Sequence, residues 1–261
     1  MVKGLRRFTD FFQDYRDAYV FIGGAACDVW LTSQYLRFRA TKDLDMVLLV
    51  EALASPFFNR FWEFVRQGKY ASIEEATGRP RFYRFRKPKT PDFPEMIELL
   101  CRNHLNLPAG VTVTPMPAGD DASSLSAILM DEEYYRFVVA SRTVIEGVPI
   151  VPASCLIPLK ARAWLDLTAR ETGGDKNVKG DDLKKHRNDV FRLWRSLAPA
   201  DRFTLPERAR LDMREFLARH HPGNADWPTI RQAVGSPELP DPAIILAQLR
   251  ENFSLEDHTT T

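Results

Sequence analysis

The sequence predicts an α/β fold, in which a mixed sheet with helices is followed by an α-helical C-terminal domain. Short apolar runs of strand length occur at Tyr19–Ile22, 43–50 and 95–101, and helical apolar spacing separates the first two. From residue 154 onward the apolar spacing is helical, and the connectors are rich in glycine and proline. The order of these patterns therefore places the sheet before the helical domain.

Length and composition fit one large or two modest domains. The chain has 261 residues, of which 44% are hydrophobic, so it can bury a substantial core. We expect a core domain at 1–152, a helical domain at 153–253 and a disordered tail at 254–261. Neither a signal-peptide core nor an apolar run long enough to span a bilayer is visible, which predicts a cytoplasmic protein with no membrane partner.

Charge and cysteine content argue against several function classes. The net charge of +1 gives no bulk attraction to nucleic acid, so any surface that binds RNA must be local. The three cysteines are far apart and fit neither a zinc site nor a disulfide framework. We interpret Cys27, Cys101 and Cys155 as buried thiols in a reducing cytosol.

The stretch from residue 19 to residue 49 organises the N-terminal domain. It predicts a strand at Tyr19–Ile22, a turn at Gly23 and Gly24, a helix at 25–38 and a second strand at 43–50. A glycine pair lets the backbone turn sharply and lets a phosphate approach without meeting a Cβ. This order of elements is typical of a phosphate-binding turn.

Two aspartates lie at the start of the second predicted strand. Because side chains alternate along a strand, Asp43 and Asp45 should share one face. Two neighbouring carboxylates repel each other, and a hard cation such as Mg²⁺ or Mn²⁺ relieves that repulsion. Taken alone, the pair also fits two solvated aspartates at a sheet edge. The opposite face of the strand should pack on helices through Leu44, Met46 and Leu48.

The glycine turn, the helix and the motif R-x-T-x-D-L-D at 39–45 together resemble the nucleotidyltransferase fold of the DNA polymerase β superfamily. More narrowly, they resemble the AbiEii/MenT-type nucleotidyltransferase toxins of prokaryotic toxin–antitoxin systems. The resemblance covers about residues 19–195. It implies a metal site at Asp43 and Asp45, and nucleotide contacts from Gly23, Gly24, Arg39 and Thr41.

One departure from that family concerns the glycine turn. Many relatives place Ser or Thr in or directly after the glycine pair, whereas here Gly24 is followed by Ala25 and Ala26. No hydroxyl of this turn can then reach a triphosphate. Backbone N–H groups at the start of the following helix are left to make that contact.

The resemblance also implies a third acidic residue on the next strand. Glu98 lies inside the apolar run Ile97-Glu98-Leu99, where a carboxylate is costly unless it is paired or bound to metal. It matches the position of the third metal ligand, which would also take the proton from an attacking hydroxyl. Glu95 is the competing assignment, and it should face the other side of the sheet.

The helical domain carries two further positions that match the family. Lys160, in the pattern L-x-x-L-K-A-x-A, resembles a lysine that binds nucleotide phosphates, although an isolated helical lysine is usually solvated. Asp189 matches the aspartate of the final family motif and would orient Lys160 or hold the helix pair in register; a plain surface aspartate is the alternative. Arg192 stands where many members have a second acid. His186 is interpreted as structural.

The remaining segments yield predictions of structure more than of chemistry. The basic stretch at 78–89 fits a solvated hairpin arm or a contact with the phosphates of a nucleotide or RNA. We expect a lead-in helix at 3–17, a helix from Pro56, a loop at 104–130 with a strand at 111–114, a strand at 134–145, a turn at 147–149, and helices at 184–197, 206–219, 227–234 and 242–252.

The resemblance implies a metal-dependent nucleotidyltransferase that transfers a nucleoside monophosphate from a nucleoside triphosphate, such as ATP, to an acceptor. The acceptor implied is the 3′ end of tRNA, and the chain would be a toxin neutralised by a cognate antitoxin. Two alternatives stay open. One is the same chemistry on a protein side chain or on a small molecule such as an aminoglycoside, and the other is a non-catalytic module that binds nucleotide or RNA.

Overall fold

The structure is a computed structural model, and it describes residues 2–49, 56–75, 81–101, 114–115, 128, 131–235 and 239–255. A mixed sheet forms the centre of the N-terminal part, with helices on both faces. The strands are β1 (Tyr19–Ile22), β2 (Asp43–Leu48), β3 (Tyr70–Glu75), β4 (Arg81–Pro88), β5 (Met96–Cys101), β6 (Thr114–Pro115), β7 (Thr143–Ile145) and β8 (Val148–Ile150).

The strand order across the described sheet is β6-β3-β4-β5-β2-β1-β8-β7. Strand β2 pairs antiparallel with β1 and parallel with β5, and β5 pairs antiparallel with β4. These central pairings bring the two predicted acidic segments into adjacent strands.

The helices precede, connect and follow the strands. They are α1 (Leu5–Phe11), α2 (Gly23–Ser33), α3 (Pro56–Gly68), α4 (Glu132–Ala140), α5 (Ala153–Thr172), α6 (Gly180–Trp194), α7 (Glu207–Arg219), α8 (Trp227–Val234) and α9 (Pro242–Asn252). Within the described part of the chain, no helix is long and apolar enough to cross a membrane.

An aromatic cluster covers one face of the sheet. Phe8 of α1 meets Tyr19 and Phe21 of β1 edge-on, at 5.4 Å between ring centroids in each pair. Phe61 of α3 meets Phe85 of β4 at 5.3 Å. Edge-to-face aromatic pairs add to the free energy gained by burial, so this face anchors the sheet.

The face opposite the aromatic cluster is left for the polar site. In the antiparallel register Phe21 lies opposite Met46 and Ile22 lies opposite Asp45. Since paired residues point to the same face, Met46 joins the aromatic core and Asp45 points to the other side. The predicted alternation of β2 is confirmed, because Leu44, Met46 and Leu48 are buried.

The helical domain packs on that second face, with α5 as its central element. Helix α5 contacts α2, α6 and α7. A buried polar link fastens α4 to α7, where the Tyr134 hydroxyl donates to Asp212 at 2.8 Å. Trp30 of α2 donates through Nε1 to Ser196 Oγ at 2.9 Å, just beyond the end of α6. The predicted helical character of this part is confirmed.

Helix α2 is shorter than predicted, because it ends at Ser33 and not at residue 38. Tyr35 adopts a left-handed φ of 58°. The N–H of Tyr35 then donates to the Thr32 carbonyl and the N–H of Leu36 donates to the Leu31 carbonyl, at 3.0 and 2.8 Å. These two bonds form a Schellman motif, in which Tyr35 takes the place usually held by glycine.

The prediction of a strand at 134–145 was wrong. Residues Glu132–Ala140 form α4, and only Thr143–Ile145 is a strand. The Asp131 side chain caps the helix by accepting from the N–H groups of Glu133 and Tyr134, at 2.8 and 3.3 Å. An N-cap of this kind satisfies two orphan donors and outweighs the β-branched and aromatic content of the segment.

Smaller corrections concern the ends of the chain and the sheet. The lead-in segment is split into α1 and a 3₁₀ turn at Gln13–Ala18. Strand β3 was not predicted. Val148–Ile150, where a turn was expected, is a strand that pairs with β1. The predicted tail starts too early, since Leu255 is buried. Of the predicted strand at 111–114 only Thr114 is described, and it belongs to β6, while most of the loop at 104–130 lies outside the described residues.

Candidate active site

Two acidic side chains and one basic side chain form a row across three neighbouring strands of the sheet. Asp45 of β2 lies opposite Glu98 of β5, and Glu98 lies opposite Arg84 of β4. Asp43, two residues before Asp45, shares its face. The three acids predicted from the sequence therefore lie on one side of the sheet.

Glu98 is buried and engaged by protein groups on two sides. Arg84 Nε donates to Glu98 Oε1 at 2.8 Å, and both side chains are about 7% exposed. Burial, together with the neighbouring Asp45, raises the pKa of Glu98 well above its usual range, and Arg84 only partly offsets this. Glu98 thus shares a hydrogen bond with Asp45 and favours its protonated form.

The glycine turn is shaped around the acidic motif. Gly23 has a φ of +64°, and a Cβ added there would lie 1.9 Å from Asp45 Oδ2. The N–H of Gly24 donates to the same Asp45 oxygen at 3.3 Å. Asp45 therefore caps the start of α2 from a neighbouring strand. The space beside these glycines, expected for a phosphate, is taken by Asp45 and, beside Gly24, by Thr41.

Asp43 is the carboxylate that protein groups leave open. It is half-buried, and no described cation lies within ion-pair distance of it. Burial and the nearby Asp45 raise the pKa of Asp43, while Lys185 and Arg84 act in the opposite direction. Glu95, the competing acid, pairs with Lys42 at 3.5 Å on a more exposed rim.

A buried cluster joins the N-terminal sheet to the helical domain. Arg39 forms a two-pronged contact with Asp189, from Nε at 3.0 Å and from the second guanidinium nitrogen at 2.9 Å. Lys160 Nζ lies 3.3 Å from Asp189 Oδ2, and its side chain is only 3% exposed. Asp189 thus holds together two of the predicted nucleotide-contacting residues.

Arg192 replaces the acid that the family motif places there, and it completes this cluster. It contacts Asp189 Oδ1 at 2.8 Å and reaches the Ala233 carbonyl of α8 at 2.5 Å. Burial alone would raise the pKa of Asp189, but Lys160, Arg39 and Arg192 lower it to about 2. Three cations surround one carboxylate, so the cluster carries excess positive charge.

These groups line one cavity of about 390 Å³ between the sheet and helices α5 and α6. The acids Asp43, Asp45 and Glu98 line the same cavity as Arg39, Thr41 and Lys160. Gly24 also lines it, whereas Gly23 and Asp189 do not line it but lie against Asp45 and Lys160, which do. The cavity therefore gathers most of the residues singled out in the sequence.

His186 lines the cavity and was read from the sequence as structural. Its Nδ1 is buried and has no hydrogen-bond partner among the described residues. Burial and the adjacent Lys160 lower the pKa of His186 well below its usual range, so the ring is neutral at pH 7. The imidazole is thus a neutral polar group in the wall of the cavity.

The cavity offers few protein ligands for the expected divalent ion. In the described residues no three His, Cys, Asp or Glu side chains are grouped so as to hold a metal unaided. Mg²⁺ often takes only one or two carboxylates and completes its shell with water and substrate phosphates. Asp43 and Asp45 fit that pattern, whereas Glu98 is engaged by Arg84 and Asp45, and its service as a third ligand stays a prediction.

Sequence reasoning missed several cavity residues. Arg84 belongs to the basic stretch at 78–89, but its link to Glu98 depends on a strand pairing that no local pattern specifies. Lys185 could have been found, because it lies four residues before Asp189 and so on a neighbouring part of the same helical face. It pairs with Asp182 at 2.9 Å. Cys101 has no described side chain, and Cys27 and Cys155 are buried free thiols as expected.

Comparison with known proteins gives only distant similarities. No family model and no curated protein matches the chain. An antigenic nucleotidyltransferase-like protein from Paracoccidioides brasiliensis is 14% identical over 89% of this chain and 93% of its own, with a TM-score of 0.41. JHP933 from Helicobacter pylori is 14% identical over 95% and 86%, with a TM-score of 0.38. A putative nucleotidyltransferase from H. pylori is 14% identical over 98% and 96%, with a TM-score of 0.35. At these TM-scores, function must be argued from the site itself.

Proposed function

We propose that this protein is a metal-dependent nucleotidyltransferase that transfers a nucleoside monophosphate from a nucleoside triphosphate to an acceptor. The observation that carries the proposal is the shared cavity of Asp43, Asp45 and Glu98 with the cationic cluster around Asp189. Acids alone would fit many cation sites, and cations alone would fit many anion sites. Their combination suits a metal-bound polyphosphate.

The cationic side of the cavity suits the phosphates. Lys160 is held by Asp189 and also lines the cavity, so its ammonium group is fixed in place before a ligand arrives. Arg39 is fixed by the same carboxylate. Preorganised cations stabilise the charge that develops on a leaving pyrophosphate, because no reorganisation is needed during the reaction.

The acidic side suits the divalent ion and the proton. Asp43 and Asp45 would hold Mg²⁺ or Mn²⁺, which would supply Lewis-acid chemistry at the α-phosphate. As the acceptor oxygen forms its bond to the α-phosphorus, the bond to the pyrophosphate oxygen breaks. We assign the acceptor's proton to Glu98 in its ionised form, which the contact with Arg84 favours and a bound divalent ion would favour further.

For the acceptor we favour RNA, with the 3′ end of tRNA as the specific candidate and a toxin function under control of an antitoxin. The support is local charge near the cavity. Strand β4 ends beside the start of β5. The exposed Lys87 and the half-buried Arg86 lie near that end, and the exposed Lys89 follows it. Cations at this edge suit phosphate contacts of a nucleic-acid backbone.

An acceptor panel tests the proposal. The protein is incubated with each α-labelled nucleoside triphosphate and Mg²⁺ or Mn²⁺, in parallel with total RNA, total protein or an aminoglycoside. The proposal expects label in RNA. Label in protein or in the small molecule would keep the chemistry and replace the acceptor, whereas nucleotide binding without transfer to any acceptor would favour a non-catalytic module.

A further inference from the structure

Tyr35 carries a fully exposed aromatic ring just beyond the end of helix α2. Its side chain is 99% exposed, whereas the other large exposed apolar side chains of the described residues are between 45% and 58% exposed. Single exposed apolar side chains are common on protein surfaces, so exposure alone indicates nothing. At 99% exposure, however, the ring packs against almost nothing in the protein and contributes no burial energy to the fold.

The backbone conformation at Tyr35 disfavours a tyrosine. Its φ of 58° lies in the left-handed region, which is an outlier for a bulky side chain. Glycine usually holds this position at a helix end, and asparagine tolerates it. The fold therefore carries the strain of a tyrosine here without any packing in return. Strain that no contact within the protein offsets points to a role in binding another molecule.

The segment that follows Tyr35 is basic and leads into the cavity. Residues 35–42 contain three cations and no acid. Two of these cations are paired with acids of the protein. The third, Arg37, is exposed and forms no ion pair with any residue that the structure describes. Arg39 lines the cavity, and because four residues span at most about 14 Å, the Cα of Tyr35 lies within that distance of the Cα of Arg39.

We propose that Tyr35 and Arg37 form a binding surface for a single-stranded end of the RNA acceptor, in which the Tyr35 ring stacks on a nucleobase and Arg37 contacts a backbone phosphate. This inference rests on the proposed function and deepens it by naming where the acceptor binds. An aromatic ring beside an unpaired cation suits a single strand, because each base offers a π face and each nucleotide a phosphate. The short distance to the cavity lets the end of such a strand reach the acids.

The surroundings of the ring favour RNA over a protein partner. The core of a protein interface is a contiguous apolar patch with few charged residues. The exposed neighbours of Tyr35 include Gln34 and Arg37, so the ring stands alone among polar groups. A stacking base needs only the ring face.

Binding of a fluorescein-labelled single-stranded RNA, followed by anisotropy without nucleotide, tests this surface, with the melting temperature recorded for every variant. Tyr35→Asn removes the ring and suits the left-handed backbone, and Tyr35→Phe keeps the ring. We expect Tyr35→Asn to bind the RNA about tenfold more weakly, the effect of losing one stacked base. The same variant should melt at the wild-type temperature or about 2 °C higher, because strain is relieved. Tyr35→Phe should bind the RNA nearly as the wild type does.

Salt dependence provides the second arm. Arg37→Gln should reduce the slope of log affinity against log salt concentration by about 0.7, because one phosphate contact to a single strand is lost. Ile244→Ala is the matched control, since Ile244 is an exposed apolar residue on α9, and it should change neither the RNA affinity nor the slope.

Three results separate this inference from its competitors. Equal RNA affinity of the wild type and Tyr35→Asn would overturn the binding surface, and transfer of label by the wild type would then still support the proposed function. A wild type that sediments as a dimer, with Tyr35→Asn monomeric and unchanged in RNA affinity, would also overturn it and assign the ring to a contact between copies. Loss of RNA binding in Tyr35→Asn, with no transfer by the wild type to any acceptor, would keep the surface and refute the proposed function.

Discussion

At the scale of single residues, Asp43 and Asp45 differ in what the protein does with them. Asp45 is fixed by the Gly24 N–H and by Glu98, whereas Asp43 has no described cation within ion-pair distance. Two similar carboxylates are thereby given different environments. Asp45 is held in position by the protein, and Asp43 is left with its charge open to the cavity.

Replacing Asp43 tests this division. Asp43→Asn should lower nucleotidyl transfer at least about 100-fold, because a cation site worth several kcal/mol loses one of its charges. Its fold should persist, since Asp43 forms no ion pair with any residue that the structure describes. Glu95→Gln is the matched control, because Glu95 is a nearby acid that pairs with Lys42 at the rim. Equal losses of initial rate in both variants would contradict the assignment.

The glycine turn gives a second prediction at the same scale. Gly23→Ala adds both left-handed strain and a clash with Asp45 Oδ2, so it should cost about 1–3 kcal/mol of stability and also abolish transfer. Gly174→Ala is its control, because Gly174 also has a left-handed φ, +86°, and nothing lies within 4 Å of an added Cβ. Urea unfolding should show strain in both variants, whereas loss of activity should be confined to Gly23→Ala.

At the scale of elements, Asp189 of α6 joins the loop before β2 to the helical domain. Asp189→Asn would leave Arg39 and Lys160 buried without their counter-charge, so it should destabilise the protein by about 3–5 kcal/mol. Asp181→Asn, on the exposed start of the same helix, should have almost no effect. Chemical unfolding measures both variants, and similar free energies of unfolding would show that Asp189 does not act as the link.

The pH dependence of the same link has a fixed sign. The pKa of Asp189 is lowered to about 2, so its contribution to stability is fully present above the ordinary pKa of an aspartate. The contribution is lost as the pH falls through that ordinary value toward about 2. Acid unfolding of the wild type should therefore be steeper below pH 4 than that of Asp189→Asn, which lacks the titrating group.

The elements show how far local sequence signals reach. The strand–turn–helix–strand unit, the Glu98 strand and the C-terminal helices could be predicted, because their apolar spacing and glycine positions are local properties. The strand expected at 134–145 is a helix, because the Asp131 cap decided a segment whose composition favours a strand. Strand β3 carried no clear signal.

Most residues of the site could be predicted from the sequence, but the contacts between them could not. The acidic motif at 39–45 and the lone acid Glu98 can be recognised in the sequence from their residue types. The Arg84–Glu98 pair depends on strand register, and the contact of Arg39 with Asp189 bridges 150 positions of sequence. Contacts of this range follow from the packing of the whole chain, and no local pattern specifies them.

At the scale of the whole molecule, the burial of His220 predicts that the free energy of unfolding falls at acidic pH. His220 is 1% exposed, and its Nδ1 contacts the Phe216 carbonyl at 2.8 Å. Burial, with smaller contributions from Arg187 and Arg219, lowers the pKa of His220 to about 4, although the Phe216 carbonyl and Asp226 act in the opposite direction. The folded state therefore binds a proton less readily than the unfolded chain between pH 6.5 and 4.

The free energy of unfolding should accordingly fall as the pH drops from 6.5 to 4, since unfolding takes up a proton in that window. His186 contributes with the same sign. His220→Phe should reduce this slope by about one proton. Urea titrations at several pH values measure the slope, and an unchanged slope in His220→Phe would be inconsistent with a neutral buried ring.

We propose that the acids beside the glycine turn catalyse transfer of a nucleotide. The most direct measurement is incorporation of an α-labelled nucleoside triphosphate into total RNA with Mg²⁺, comparing the wild type with a folded Asp45→Asn protein. We expect Mg²⁺-dependent labelling by the wild type and none by Asp45→Asn. Equal labelling by both proteins, or none by the wild type with any nucleoside triphosphate, acceptor and metal, would contradict it.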